Sequence, residues 1–224
     1  VDADDLAAVV GSVGLDEFGE DGLRRNLEDL DWLAAKARAH DATVSAVGRL
    51  GPVIPVRMAT IYLDDWRVRQ LLVNEHDDFD TALRRVSGRE ELGVKGYADP
   101  KGLQDDSPSP DAAERRSGTA YLLRRRRQLA SQEEAYRLAA AEAEQVHTTL
   151  MRHAVDGKRK PPTDKTLSGR DDWIVLNGTY LVDEDVIDLF LETVGALDRS
   201  TARIRLEVTG PWPPYSFAGD LVAI

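Results

Sequence analysis

The 224-residue chain contains no cysteine, which excludes a disulfide framework, a thiolate metal site and a cysteine nucleophile. It also lacks a long apolar run: the longest, Leu6 to Val10, is far too short to span a bilayer or to form a signal h-region. Positive charge is in the minority. Lys and Arg number 29 against 40 Asp and Glu, for a net charge of −11 and a pI near 4.9. Such a balance argues against a general nucleic-acid binder. No Gly-x-x-x-x-Gly-Lys, Gly-x-Gly-x-x-Gly or Gly-x-Ser-x-Gly pattern occurs, so the commonest phosphate cradles and the hydrolase elbow are absent. What the chain does have is 42% hydrophobic residues, enough for a core in one large domain or two small ones. Composition describes a soluble, intracellular, globular protein. The chain opens on Val1, consistent with a trimmed version of a longer product.

Asp5 to Val13 reads as a short strand. Leu23, Leu27, Leu30, Ala34 and Ala37 form one stripe on a 3.6-residue period and predict a continuous helix ending near Asp41. Thr43 to Val47 reads as a strand. Two prolines make residues 52–55 extended, and the stretch on to Tyr62 has strand composition. Helices follow over Asp65 to Asn74 and Asp77 to Val86, Ser87-Gly88 stops the second, and Leu92 to Tyr97 is a strand. Asp99 to Gly118, rich in Asp, Pro and Ser, reads as a mobile loop.

A helix of about 55 Å is expected over residues 119–155. Leu122, Leu129, Tyr136, Ala143 and Leu150 stand seven apart on it, with Ala139 and Val146 between, a narrow contact seam. Gly157, Pro161 and Pro162 end it inside a second polar loop running to Asp172. The last third reads strand (Trp173 to Val182), helix capped by Asp183 with an apolar face of Val186, Ile187, Phe190, Leu191 and Val194, and half-buried strand (Arg203 to Thr209). Strands interleaved with helices indicate an α+β protein of two small domains. They span 1–89 and 90–224, the latter with a C-terminal tail over 210–224.

Four histidines occur: His40, His76, His147 and His153. Glu144 and His147 form the Glu-x-x-His half-motif of di-iron bundles, but no second copy exists, and His147 and His153, about 240° apart on a helix, cannot share a ligand face. No metal or other cofactor is expected. The acidic clusters Asp77–Asp80 and Asp183–Asp185 lack the EF-hand pattern and sit where helix starts want carboxylates. Arg115, Arg116, Arg124, Arg125, Arg126 and Arg127 place six positive charges and no acid in thirteen residues. They sit near a helix N-terminus, where the dipole disfavours cations, so carboxylates should compensate. Residues 1–41, with four basic and eleven acidic side chains, are one candidate within the chain. An acidic protein partner is the second and nucleic acid a distant third. In the C-terminal run Thr209-Gly210-Pro211-Trp212-Pro213-Pro214-Tyr215-Ser216-Phe217, three prolines hold Trp212, Tyr215 and Phe217 extended. The run packs a tail onto the body or supplies interface anchors.

That C-terminal run, preceded by Leu176-Asn177-Gly178-Thr179-Tyr180-Leu181-Val182, resembles the signature of the GvpF/GvpL gas vesicle proteins. Asp5 to Val10, Val53 to Arg57, Glu91 to Lys95 and Gly118 to Leu122 agree, in order along the chain. Two features depart from the pattern. Members usually begin with a Tyr-x-Tyr-x-Ile strand, which the sequence from Val1 does not contain, and the first domain lacks a strand only if that segment is truly absent; and Leu92 stands where tryptophan is common. The resemblance implies two α+β domains, the second a modified ferredoxin-like fold, and no recognised enzymatic activity or cofactor. It also implies a cytoplasmic, vesicle-associated accessory protein acting with the hydrophobic shell protein and other accessory proteins during assembly. No nucleic acid or membrane partner is expected, and self-association stays open. A minor component of the vesicle wall is the alternative. An uncharacterised enzyme is more remote, since the histidines are isolated and the acids sit at helix caps. Arg124 to Arg127, Trp212, Tyr215 and Phe217 are the expected partner-binding residues.

Overall fold

The computed structural model describes residues 1–99, 118–160 and 173–218, with the side chains of 118–124, 127 and 128 outside the description. The loops expected over 100–117 and 161–172 therefore lie outside the described residues. The chain divides into two compact units. One combines residues 1–91 with the C-terminal segment from Trp212; the other is Leu92–Pro211.

The first unit opens on a minimal hairpin of β1 (Asp2–Ala3) and β2 (Leu6–Ala7), antiparallel with Ala3 opposite Leu6. The expected strand from Asp5 to Val13 is thus reduced to two residues, and Val9, Val10 and Val13 are exposed. Two short helices follow, α1 (Leu15–Phe18) and α2 (Glu20–Asn26), then α3 (Leu30–Gly48). The leucine stripe does not make one helix. The Asp29 carboxylate accepts the N–H groups of Asp31 and Trp32 at 3.0 and 3.1 Å, so a new helix starts there, an N-cap outweighing continuation of the old one. α3 then runs through Thr43 to Val47, where a strand was expected. No strand forms over 52–62 either. Pro55 is fully buried, Thr60 turns back onto the Arg57 carbonyl, and Ala59 sits at φ 66°, a left-handed residue that interrupts any strand.

α4 (Asp65–Asn74) and α5 (His76–Val86) match the expected helices to within one residue. The hairpin packs Ala3 and Leu6 against Leu72 and Phe79 of this pair. Arg69 Nε donates to the Asp2 carbonyl at 3.0 Å, and His76 Nε2 lies 2.7 Å from Asp5 Oδ1.

The second unit is built on a four-stranded sheet of β3 (Arg89–Ala98), β4 (Asp156–Arg159), β5 (Trp173–Asp183) and β6 (Arg205–Trp212), in the order β4-β5-β3-β6. The helices between them are α6 (Gly118–Leu150) and, after a 3₁₀ turn at Glu184–Val186, α7 (Ile187–Ser200). The sequence β-α-β-β-α-β with that strand order is the ferredoxin-like arrangement. β4 falls in what reads as loop. It pairs antiparallel with β5, placing Gly157 opposite Tyr180. A Cβ on Gly157 would lie 3.2 Å from the Tyr180 ring, and one on Gly178 2.7 Å from its hydroxyl. The two glycines leave the space that this aromatic ring fills. Asp183 makes no capping hydrogen bond from its side chain.

The core joins Leu92 and Val94 of β3, Val175, Leu176, Tyr180 and Val182 of β5, Phe190 and Val194 of α7, and Ile204 and Leu206. α6 adds Ala139, Ala143, Val146 and Leu150, all at or near zero exposure. Two carboxylates fasten the far side. Glu142 accepts from the backbone N–H groups of Ala202 and Arg203, and Asp198 accepts from Leu206 N–H at 2.7 Å. Within the core, His147 Nδ1 lies 2.9 Å from the Tyr180 hydroxyl. Burial raises the Tyr180 phenol far above its usual value. Burial, aided by Arg159, lowers His147.

Leu150→Ala should lower the unfolding free energy of the second unit by about 2–5 kcal/mol. Leu129→Ala, at a half-exposed site on the same helix, should change it by less than about 0.5 kcal/mol. Urea unfolding of both variants checks the pair. The two histidines should act in opposite directions. His147, lowered from 6.5, contributes stability that is full above pH 6.5 and is lost as pH falls through the folded value. His76, raised from 6.5 by its hydrogen bonds to Asp5 and Asp77, contributes fully below pH 6.5, and that contribution is lost as pH rises through its folded value. In Tm–pH profiles, His147→Gln should flatten the acid limb and His76→Gln the limb above neutrality.

Candidate partner-binding surfaces

Burial on α6 recurs at Ala135, Ala139, Ala143, Val146 and Leu150, spacings of four, four, three and four that keep one face of a straight helix on the sheet. The seven-residue series behaves differently. Stepping back from Leu150 it drifts about 20° per heptad on a 3.6-residue helix. Ala143 is still buried, but Tyr136 is 39% and Leu129 49% exposed. The expected seam therefore splits into a packed second half and an open first half. Positions that would continue the packed face toward the N-terminus are Gln132, Gln128 and Arg125, none able to extend an apolar contact.

That open half carries Leu129, Tyr136 and, on the opposite side of the helix, Leu138 as exposed apolar side chains, with Arg125 and Arg126 exposed about one turn before Leu129 and about three turns before Tyr136. The side chains of Arg124 and Arg127, and the whole of Arg115 and Arg116, lie outside the described residues. Arg137 grips Glu134 with two hydrogen bonds of 3.0 and 2.7 Å, which holds that carboxyl below its ordinary range. Tyr136 meets Trp173 edge to face at 5.4 Å, so its ring is braced while one side stays open.

The C-terminal aromatics part company. Residues 215–217 curl into turns, with Tyr215 N–H donating to the Pro213 carbonyl and Phe217 N–H to that of Pro214. The extended arrangement read from the prolines does not hold, and the three rings no longer face one way. Phe217 is buried, and Tyr215 is half-buried beside His40 at 6.3 Å. Burial and the nearby Asp41 raise the Tyr215 phenol. Ser216 donates both N–H and Oγ–H to the Glu91 carboxylate, at 2.6 and 2.8 Å. Tyr215 and Phe217 are thus packing residues of the first unit, and Trp212, 47% exposed, is the one that offers surface.

A further surface is not foreseen from the sequence. Glu17 of α1 accepts a hydrogen bond from Trp32 Nε1 and pairs with Lys36 Nζ at 2.8 Å, which lowers its pKa. The Lys36 ammonium stands 5.2 Å from the Phe18 ring and 5.5 Å from the Trp32 ring. This cation–aromatic cluster ties α1 to α3, while Leu15, Leu27 and Leu30 stand at 75%, 48% and 77% exposure. The available signal was Asp29, a capping residue in the middle of the leucine stripe.

Other groups are accounted for by the structure around them. Glu144 pairs with Arg159 and His147 with Tyr180, so the Glu-x-x-His half-motif is engaged internally. Among the described residues no three His, Asp or Glu side chains gather as a metal site, and no helix is long and apolar enough to cross a membrane. A depression of about 360 Å³ at the α4–α5 corner is lined by the consecutive residues Val73 to Asp78.

Comparison with known proteins fits this architecture. The chain is 45% identical over 216 residues to gas vesicle protein L of Streptomyces sp. strain CB03234, covering 96% of this chain and 80% of that protein. It is 28% identical over 200 residues to gas vesicle protein F of the same strain, covering 85% and 80%. The crystal structure of GvpF from Microcystis aeruginosa superposes with a TM-score of 0.57 at 16% identity, over 80% of this chain and 76% of that one. GvpF from Anabaena sp. PCC7120 superposes with 0.54 at 21% identity, over 75% of this chain and 66% of that one. At such identities these two neighbours speak for the fold alone. The family model of the gas vesicle synthesis protein GvpL/GvpF matches residues 1–219, and the chain therefore belongs to that family of gas vesicle-associated proteins.

Proposed function

We propose that the protein serves gas vesicle assembly by binding the hydrophobic shell protein before it joins the wall. A wall that holds gas is apolar on its inner face, so an unassembled shell subunit exposes an apolar patch that invites aggregation. An accessory protein that covers this patch transiently needs exposed apolar anchors on a surface that remains soluble. The observation that carries the reading is the open half of α6. Leu129 and Tyr136 stand exposed on one face there, following two exposed arginines, on a helix whose other half is fixed in the core. Amphipathic helices of this kind bind through anchors at i and i+7, the spacing of Leu129 and Tyr136. Trp212 is a separate anchor on the first unit, rigidified by the prolines on either side.

The activity proposed is binding rather than catalysis, in keeping with a family of gas vesicle proteins rather than known enzymes. Its place of action is the cytoplasm, where shell subunits and other accessory proteins are met.

Tagged protein should recover the shell protein, identified by immunoblot, from cells expressing both. Leu129→Asp with Tyr136→Asp should cut recovery about five- to thirtyfold, the effect of removing about 1–2 kcal/mol of anchor contact, with far-UV circular dichroism showing that the variant is folded. Trp212→Ala should reduce it less. Equal recovery by the folded double variant would refute the reading. Stoichiometric retention on washed, intact vesicles would instead identify a wall component.

A further inference from the structure

We propose that the open half of α6 pairs with the same segment of a second copy of this chain, the two helices running antiparallel about a two-fold axis near Leu129. The pairing occupies anchors assigned above to the shell protein, but neither its argument nor its test uses that assignment. Its first support is the period of the exposed residues. Leu129 and Tyr136 stand seven apart, within about 20° of each other round the helix. That spacing drifts off a flat sheet, but a second helix holds it, because two helices in contact coil so that a seven-residue repeat stays on the seam. Both side chains are exposed, and Trp173 braces the tyrosine ring. The occupant that such a seam fits is a helix.

The charge beside the seam says which helix. Arg126 lies three residues before Leu129 and Glu133 four after it, about 60° and 40° round the helix and so on the same flank. Both are exposed. Arg137 is taken by Glu134, and neither Arg126 nor Glu133 forms an ion pair among the described residues. One cation and one anion are thus set about 10.5 Å apart along the axis, with Leu129 near the midpoint.

A two-fold axis at Leu129 reverses their order on the second helix. Arg126 of each copy then comes level with Glu133 of the other, and Leu129 meets Leu129. A parallel pair in register would instead set Arg126 against Arg126 and Glu133 against Glu133. The mixed charge of this stretch, which counts against a uniformly acidic or basic partner, makes it complementary to itself, and opposite charges placed in this way fix register. The contact is isologous: each copy uses its seam once, so association stops at the dimer. From residue 126 to 136 the seam is only about three turns long, the size of a weak, reversible interface.

Sedimentation velocity on the purified full chain, without shell protein, tests this. A reversible monomer–dimer equilibrium is expected, with half-association between about 10 and 500 µM for so short a seam. Arg126→Glu sets acid against acid on both sides of the axis, and Glu133→Arg sets base against base. Each variant alone should dimerise at least about tenfold more weakly than the unaltered chain. Mixed in equal amounts, the two should recover a one-to-one dimer, because the charges of one match those of the other on both sides of the axis. The double variant Arg126→Glu with Glu133→Arg should regain self-association. Both positions are exposed, and far-UV circular dichroism confirms that each variant is folded. A monomer at every concentration up to about 500 µM, dimerisation that neither single variant weakens, or weakened variants that do not combine would each overturn the proposal. Failure to capture the shell protein leaves these outcomes unaltered, so the two readings fail separately.

Discussion

The second half of α6 lies on the sheet through a ridge of alanines, and much else follows from that seating. Ala135, Ala139 and Ala143 carry only a methyl group, so the helix axis approaches closely, and Val146 and Leu150 fill the wider space beyond. Across from them Tyr180 is accommodated because Gly157 and Gly178 have no side chain to compete with its ring. His147 meets the phenol from the helix side, giving the buried hydroxyl the partner it needs. Dense packing of this kind admits little adjustment, so the helix is fixed firmly at one end.

The same helix is open at its other end for a reason equally local. Gln132, Gln128 and Arg125 occupy the positions where the ridge would continue. The leucine and tyrosine at seven-residue spacing lie on a neighbouring face that turns progressively away from the sheet. A heptad series holds its partner only when two helices supercoil around each other; on a sheet a straight helix follows the 3.6-residue period. One element thus combines a packed anchor with an exposed apolar and cationic arm.

Charge is distributed with the same economy. The overall −11 conceals an acidic first segment and a basic start to α6. Several acids are committed to local work: Asp29 and Asp64 cap helices, Glu142 and Asp198 tie down backbone N–H groups, and Glu91 holds the C-terminal turn through Ser216. These contacts are short-range and charge-assisted, hence robust. The remaining surface carboxylates matter through long-range attraction, which salt screens.

Much was legible along the chain. α4, α5, α7 and strands β3, β5 and β6 follow from periodicity, alternation and Gly or Pro punctuation, since each of those signals is set by residues a few positions apart. The family is legible in the ordered motifs ending at Phe217, and among the candidate partner-binding residues Trp212 and the exposed Arg125 and Arg126 lie on open surface. What the sequence alone could not decide were the outcomes of competition between local and distant contacts. Asp29 as a cap defeated a leucine stripe; helix continuation through Val47 defeated β-branched composition; and Lys158 and Arg159 became strand because β5 offered them a ladder. Burial divided the aromatics too, sending Phe217 inward and leaving Trp212 out. Sequence determined which segments are helical, extended or charged, because those preferences are local. Tertiary structure decided which apolar faces are core and which are surface, because that depends on what the rest of the chain brings to meet them.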